Sequence, residues 1–150
     1  MEWCGPEAAA EVHRLTQAAF APQAVLDPPS GATRETVEVV RADLAEGRGV
    51  LAHLGRRPVA AARVLLEERH VHVRRVAVDP GFHRQGIARI LMCWIHAEAT
   101  RLGYAEVRLG VRKQLLAPRA LYESLGYRQA TDEGYWVVLR LSLPAEVEGD

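Results

Sequence analysis

Between two apolar runs the chain reads Val78-Asp79-Pro80-Gly81-Phe82-His83-Arg84-Gln85-Gly86-Ile87-Ala88-Arg89. The stretch before it, residues 71–78, is rich in β-branched residues, as a strand should be. Pro80 and Gly81 break that run. From Gln85 onward Ile87, Ile90, Leu91, Trp94, Ile95 and Leu102 recur at helical spacing. A strand, a tight turn and a helix start leave several backbone N–H groups aimed at one spot, and the helix dipole adds partial positive charge there. That combination suits an anion such as a pyrophosphate. An ordinary strand-to-helix turn without a ligand would carry the same short glycine pattern.

A second group able to do chemistry is His70-Val71-His72, on the strand that leads into this turn. Alternation puts both histidines on one face. A histidine near its ordinary pKa shuttles protons at neutral pH; the alternative is a pair that simply faces solvent. Glu67 and Glu68, at the preceding turn, are acidic alternatives. A third candidate is Tyr122, within Leu121-Tyr122-Glu123-Ser124-Leu125-Gly126-Tyr127. Cys93-x-x-His96, taken with His70, His72 and His83, matches no standard metal-ligand spacing, so no metal is expected. Cys93, beside Trp94, reads as a small core residue.

The surrounding elements follow from periodicity and breakers. Residues 1–5 make at most a stub of strand. Residues 7–20 read as a helix with Ala8, Val12, Leu15 and Ala19 on one face. The proline-rich residues 21–32 read as a stiff loop. A second helix spans 34–46, with Val37, Val40 and Leu44 inward, and Gly47 and Gly49 end it. Strands follow at 50–54, 59–66 and 70–78, joined by short turns and therefore antiparallel. A helix over 85–102 crosses to a strand at 106–112, which must lie parallel to 70–78. Pro118 opens a short helix, and residues 127–131 and 135–143 form a closing hairpin. The order α-α-β-β-β-α-β-α-β-β is an α/β (α+β) architecture: a mixed central sheet with an antiparallel meander, one βαβ crossover and splayed parallel strands. It lacks the repeated βαβ units of a dinucleotide-binding fold.

Composition sets the limits. The 150 residues suffice for one domain, residues 1–150, with a sizeable core. Nineteen basic and nineteen acidic residues give a formal net charge of zero, so no net field recruits nucleic acid or an anionic membrane. Two distant cysteines fit a reducing compartment. With no signal peptide and no long apolar run, a cytoplasmic location is expected. The acidic tail 144–150 reads as a frayed end.

The loop and the tyrosine segment together resemble the GNAT acetyltransferases. Their acetyl-CoA signature, Val-x-Pro followed by (Gln/Arg)-x-x-Gly-x-(Gly/Ala), appears as Val78-Asp79-Pro80 and His83-Arg84-Gln85-Gly86-Ile87-Ala88. Their later Leu-Tyr-x-x-x-Gly-(Phe/Tyr) appears as Leu121-Tyr122 through Gly126-Tyr127. The element order agrees. His83 departs from the usual Gln or Arg. The chain contains no asparagine, although many members place one ahead of the tyrosine helix; Gln114 is the polar residue nearest that place. The resemblance implies direct acetyl transfer from acetyl-CoA to a primary amine of a small metabolite, amino acid or peptide. It places the pantetheine arm along the backbone of Val76, Ala77 and Val78, and the pyrophosphate on His83, Arg84, Gln85, Gly86, Ile87, Ala88 and Arg89. It makes Tyr122 the acid, or hydrogen-bond donor, for the leaving thiolate. It puts a base at His72, with His70 beside it. The acceptor would lie among loop 21–32, the strand bearing His72 and segment 114–118, and a homodimer would be unsurprising. The same residues also fit a domain that holds an acyl-CoA without turnover, or an enzyme using another acyl-CoA.

Overall fold

The computed structural model describes residues 1–144; the tail beyond Pro144, and the expectation of fraying placed on it, lie outside the described residues. The elements are β1 (Glu2–Cys4), α1 (Ala9–Phe20), α2 (Val37–Glu46), β2 (Arg48–Leu54), β3 (Arg57–Leu66), β4 (Val71–Val78), α3 (Ile87–Arg101), β5 (Glu106–Arg112), α4 (Leu116–Ser124), β6 (Arg128–Asp132) and β7 (Trp136–Ser142). The seven strands form one mixed sheet in the order β1-β2-β3-β4-β5-β7-β6. The expected architecture is present, with the strand stub realised as β1, antiparallel to β2 through Trp3↔Val50. The contacts group into two compact units, residues 1–65 with 75–91, and residues 66–74 with 92 onward.

In the first unit, α1 and α2 bury Ala9, Val12, Leu15, Val40 and Leu44 together with Leu51 and Ala61 of β2 and β3. Two helix starts differ from the expected ones. Pro6–Ala8 form a 3-10 turn ahead of α1. Helix α2 begins after Thr36, whose hydroxyl accepts the Val39 N–H and so satisfies one of the amides a helix start leaves open. The proline-rich loop is partly ordered into 3-10 turns at Ala21–Val25 and Gly31–Arg34.

Sequence periodicity missed a buried charge cluster in this unit. Arg63 of β3 is 3% exposed. Its guanidinium binds Glu35 bidentately, Nη1 to Oε2 at 2.9 Å and Nη2 to Oε1 at 2.6 Å, and Nη1 also reaches Asp43 Oδ2 at 3.1 Å. Arg75 Nε stands 3.5 Å from Glu35 Oε2. Burial pushes the Glu35 carboxyl up, but hydrogen bonds and charge from Arg63, with Arg75, outweigh it and hold the pKa below the usual carboxylate value. Arg75 sits inside β4 with φ 52, a left-handed conformation that costs a non-glycine residue about 1–2 kcal/mol. It interrupts the extended run as a bulge residue does.

In the second unit, β4 and β5 are parallel, with register running from Val71↔Val107 to Val73↔Leu109. β5 pairs antiparallel with β7 along its full length, and β7 with β6. Val107, Leu109, Val137 and Leu139 are buried, as are Met92, Ile95 and Ala99 of α3. The stripe of α3 is rotated from the expected one: Ile90 is 56% exposed, and Cys93 is exposed rather than a core residue. Three turns along α3, His96 Nε2 lies 2.6 Å from the Tyr127 hydroxyl. Burial pushes the His96 pKa down to about 4.

Two stability outcomes follow. Glu35→Ala leaves the Arg63 guanidinium buried beside Asp43 alone, and should cost about 3 kcal/mol in urea unfolding. His96, with its folded pKa lowered, contributes stability that is intact above pH 6.5 and lost as pH falls toward 4. Comparing urea midpoints of the wild type and His96→Gln should show the wild type losing about 2 kcal/mol more between pH 7.5 and pH 5.

Candidate active site

The turn between β4 and α3 is built by a chain of local bonds. Asp79 N–H donates to the Val59 carbonyl at 2.8 Å, fixing the strand exit. The Asp79 carboxylate accepts the Gly81 N–H at 2.9 Å and so caps the 3-10 turn Pro80–Phe82. Arg14 and Arg57 stand 3.9 and 3.8 Å from its other oxygen. The Arg57 guanidinium lies over the Phe82 ring at 5.0 Å. The first half of the loop is therefore tied down by its own side chains.

The second half is held differently. Arg84 has φ 65 and Gly86 has φ 73, so left-handed residues alternate with others immediately before the helix. Backbone of that kind gathers successive N–H groups into an anion-binding concavity. Helix α3 begins at Ile87, two residues later than periodicity suggested, and Ile90 N–H bonds the Gly86 carbonyl at 3.1 Å. The amides just ahead of it, those of Ile87 and Ala88, have no carbonyl one turn upstream inside the helix. Among the described residues no side chain caps the amides of Arg84, Gln85, Gly86, Ile87 or Ala88. A Cβ on Gly86 would meet nothing within 4 Å. Glycine is there for its backbone angle, and the space beside it is open. This cradle fits a pyrophosphate by donor set and by polarity.

His83 behaves unlike a ligand side chain. Its Nε2–H donates to the Val78 carbonyl at 3.2 Å, folding the ring back over the strand end. Val76 and Val78 are half-buried and Ala77 is buried. All three lie past the last residue pair of the β4–β5 register, Val73↔Leu109. Strand backbone beyond a ladder is where an extended amide chain can pair.

In the second unit, the Glu67 N–H and His70 carbonyl close a turn at 3.0 Å, so His70 precedes β4 and His72 lies within it. Their rings meet edge-on with centroids 6.3 Å apart. Burial pushes the His72 pKa down, and the neighbouring Arg74, His70 and Arg108 add to this against a smaller opposing pull from Glu67. The surroundings of His72 thus favour its neutral form. Tyr122 of α4 is buried, its ring edge-on to Tyr127 with centroids 5.8 Å apart. Burial pushes its phenol up to about 12. No hydrogen bond occupies its hydroxyl among the described residues. Gln114 is exposed in the turn before α4. The histidine pair was legible from alternation. The Tyr127–His96 bond behind Tyr122 was not, because neither residue lies in a pattern with the other. Among the described residues, no group of three or more His, Cys, Asp or Glu is placed to hold a metal.

The family model described as acetyltransferase (GNAT) domain matches residues 45–129. The [ribosomal protein bS18]-alanine N-acetyltransferase of Escherichia coli is 40% identical over 72 residues, 48% of this chain and 47% of that protein. Human N-acetylaspartate synthetase is 33% identical over 85 residues, 57% of this chain and 28% of that protein. The chain thus spans about half the length, or less, of the curated relatives it matches. Among solved structures, the paia N-acetyltransferase of Thermoplasma acidophilum, in complex with coenzyme A, superposes with TM-score 0.79 at 12% identity, over 95% of this chain and 99% of that one. The Escherichia coli ribosomal-protein-S18-alanine N-acetyltransferase superposes with TM-score 0.73 at 22% identity, over 96% and 92%. The structural likenesses carry the fold, and the family model, covering more than half of the sequence including the whole β4–α3 loop, carries the membership: this chain belongs to the GNAT acetyltransferase domain family.

Proposed function

We propose that the chain acts as one N-acetyltransferase domain that moves an acetyl group from acetyl-CoA directly to a primary amine. The observation that supports this most strongly is the set of uncapped amides from Arg84 to Ala88 at the start of α3. Related proteins named for acetylating an alanine amine and for making N-acetylaspartate agree with an amine acceptor. We place the protein in the cytoplasm; among the described residues no helix is long and apolar enough to cross a membrane.

In this reading the amides of Arg84 to Ala88 take the pyrophosphate, and the Arg84 and Arg89 side chains and the His83 backbone border it. The backbone of Val76, Ala77 and Val78 pairs with the amide arm of the cofactor. Acetyl-CoA supplies an acyl group already activated as a thioester, so the chain needs no nucleophile of its own. What the chain must supply is a neutral amine. A lysine-like amine is neutral in about one molecule in a few thousand at pH 7, and an α-amine in about one in ten. His72 takes up the amine's proton, and His70 orients the His72 ring through their edge contact. Its lowered pKa keeps His72 in the accepting form below the usual histidine range. Tyr122 holds its proton far more tightly than a thiol with a pKa near 8.5 would. It therefore serves as a hydrogen-bond donor to the departing sulfur, stabilising negative charge as it develops.

Titration calorimetry with acetyl-CoA tests the cradle. Gly86→Val forces a β-branched residue to φ 73 at a place where a Cβ meets nothing within 4 Å, and should weaken acetyl-CoA binding at least about tenfold while the protein stays folded. Unchanged affinity would remove the proposed phosphate site. Release of free CoA thiol with a panel of amines, with acetylated products identified by mass, tests turnover. Tyr122→Phe should lower kcat about 10- to 100-fold with acetyl-CoA affinity retained. His72→Ala should lower kcat/KM about 100-fold. The wild-type acid limb should lie below pH 6.5, and in His72→Ala it should move up to follow deprotonation of the amine. A protein that binds acetyl-CoA but releases no thiol with any amine is a sensor, not an enzyme.

A further inference from the structure

One face of the second unit's strands carries cations in register. His72 of β4 pairs with Arg108 of β5. Arg108 pairs with Arg140 of β7, and Arg140 with Arg128 of β6. Residues paired across a sheet project to the same face, so these four make one row across four strands, about 14 Å from end to end at roughly 4.8 Å per strand. Arg74, two residues after His72, projects to the same face. The opposite face, with Val107, Leu109 and Leu139, is buried.

The arginines of the row face solvent and are short of counter-charge. The Arg108 and Arg140 side chains are 39% and 56% exposed, and Arg128 is exposed. Glu106 is shared between two of them, 3.0 Å from Arg108 Nη2 and 3.6 Å from Arg140 Nη1. No carboxylate pairs with Arg128 among the described residues. Trp136 of β7 lies on the same face, so close to Gly110 that a Cβ there would sit 3.0 Å from the ring. The chain as a whole has zero net charge, so this row is a local excess rather than part of a general basic field.

We propose that the row is an acceptor subsite for carboxylates: the amine substrate is an acidic peptide, its N-terminus at His72 and its first acidic side chains along Arg108, Arg140 and Arg128. The proposal rests on the reading of the chain as an amine acetyltransferase with His72 at the amine. Three features favour this occupant. Guanidinium groups match carboxylates bidentately, which gives position as well as attraction. An extended peptide advances about 3.3–3.6 Å per residue, so the row spans about four residues from the amine. Trp136 offers an apolar shelf beside the charges for the peptide's backbone and stems. The zero net charge argues against a long polyanion such as RNA, whose binding needs many phosphate contacts over a broad basic surface.

The test uses matched peptides with a common N-terminal residue and Glu, Ala or Lys at positions two to four, carrying a fluorophore at the C-terminus. Binding is read by anisotropy with and without a short oligonucleotide competitor, and acetylation by mass. The expected result is at least about tenfold tighter binding and lower KM for the Glu peptide than for the Ala peptide, weakening with added salt. Arg128→Gln/Arg140→Gln should erase that preference while leaving acetyl-CoA affinity unchanged, and the double lysine variant should restore part of it. Equal binding of Glu and Ala peptides, a preference that survives in the double glutamine variant, or displacement of the Glu peptide by an oligonucleotide at lower concentration than by unlabelled peptide would each overturn the subsite. Arginine-dependent binding of the Glu peptide without acetylation would keep the surface and overturn the transferase reading; acetylation without preference would do the reverse.

Discussion

A buried carboxylate is the contact on which the first unit turns. Glu35 stands at the end of the proline-rich loop, immediately before α2, and it meets two arginines from neighbouring strands. One of them, Arg63, lies in a strand whose neighbours Val59 to Val64 are otherwise apolar and buried. A lone guanidinium in such a place would be very costly, and two carboxylates are needed to hold it. The other, Arg75, adopts a left-handed backbone in the middle of β4. That conformation is unfavourable on its own and persists where side-chain contacts fix it. The residues that follow it are Val76, Ala77 and Val78, so the geometry of the proposed cofactor strand depends on a charge contact made from the loop before α2. A Cβ on Gly31 would lie 3.2 Å from Arg75 Nη2, which shows how closely that loop closes over the arginine.

The loop after β4 divides its labour by the same logic. Its first half satisfies itself: Asp79 caps, Arg57 covers Phe82, and His83 returns to the strand carbonyl. Its second half leaves donors open. Arg84, Gln85 and Gly86 are exposed, so these amides are open to solvent or to a ligand. Here they sit at a helix start, with Arg84 and Gly86 left-handed, and in the proposed reading an anion completes them. The contacts of the first half fix the chain at the point where the second half begins.

How much of this could be read from sequence depends on whether the determining residues were neighbours along the chain. The strands, the crossover helix and the turn between β4 and α3 come from periodicity, from Pro80-Gly81 and from Gly86, all local signals, and the structure reproduces them with ends shifted by one to three residues. Helix α2 starts later than its apolar pattern implies because the Thr36 hydroxyl caps it, a signal carried by residue type and not by period. The outward turn of Ile90 and Cys93 was hidden because α3 is apolar on more than one face, so period alone left its orientation open. The Arg63–Glu35–Asp43 cluster joins residues 20 and 28 positions apart, and no pattern links them. The one available hint was an arginine inside the apolar run 59–66, which demanded a buried partner without naming it. The arginine row was invisible for a related reason: its members are spaced by strand register, which sequence alternation suggests only after the pairing of β5, β7 and β6 is known.

That row also bears on the role proposed for His72. Burial disfavours His72 as a cation, and the guanidiniums of Arg74 and Arg108 and the His70 imidazole act in the same direction. The same positive surroundings that keep His72 neutral would attract an acceptor's carboxylates, and those carboxylates would in turn raise the pKa of His72 once bound. With His72 as the proposed base and the row as the proposed acceptor subsite, binding would move the base toward the pKa at which proton transfer from an amine is less uphill, and one arrangement of charge would both select the acceptor and tune the base.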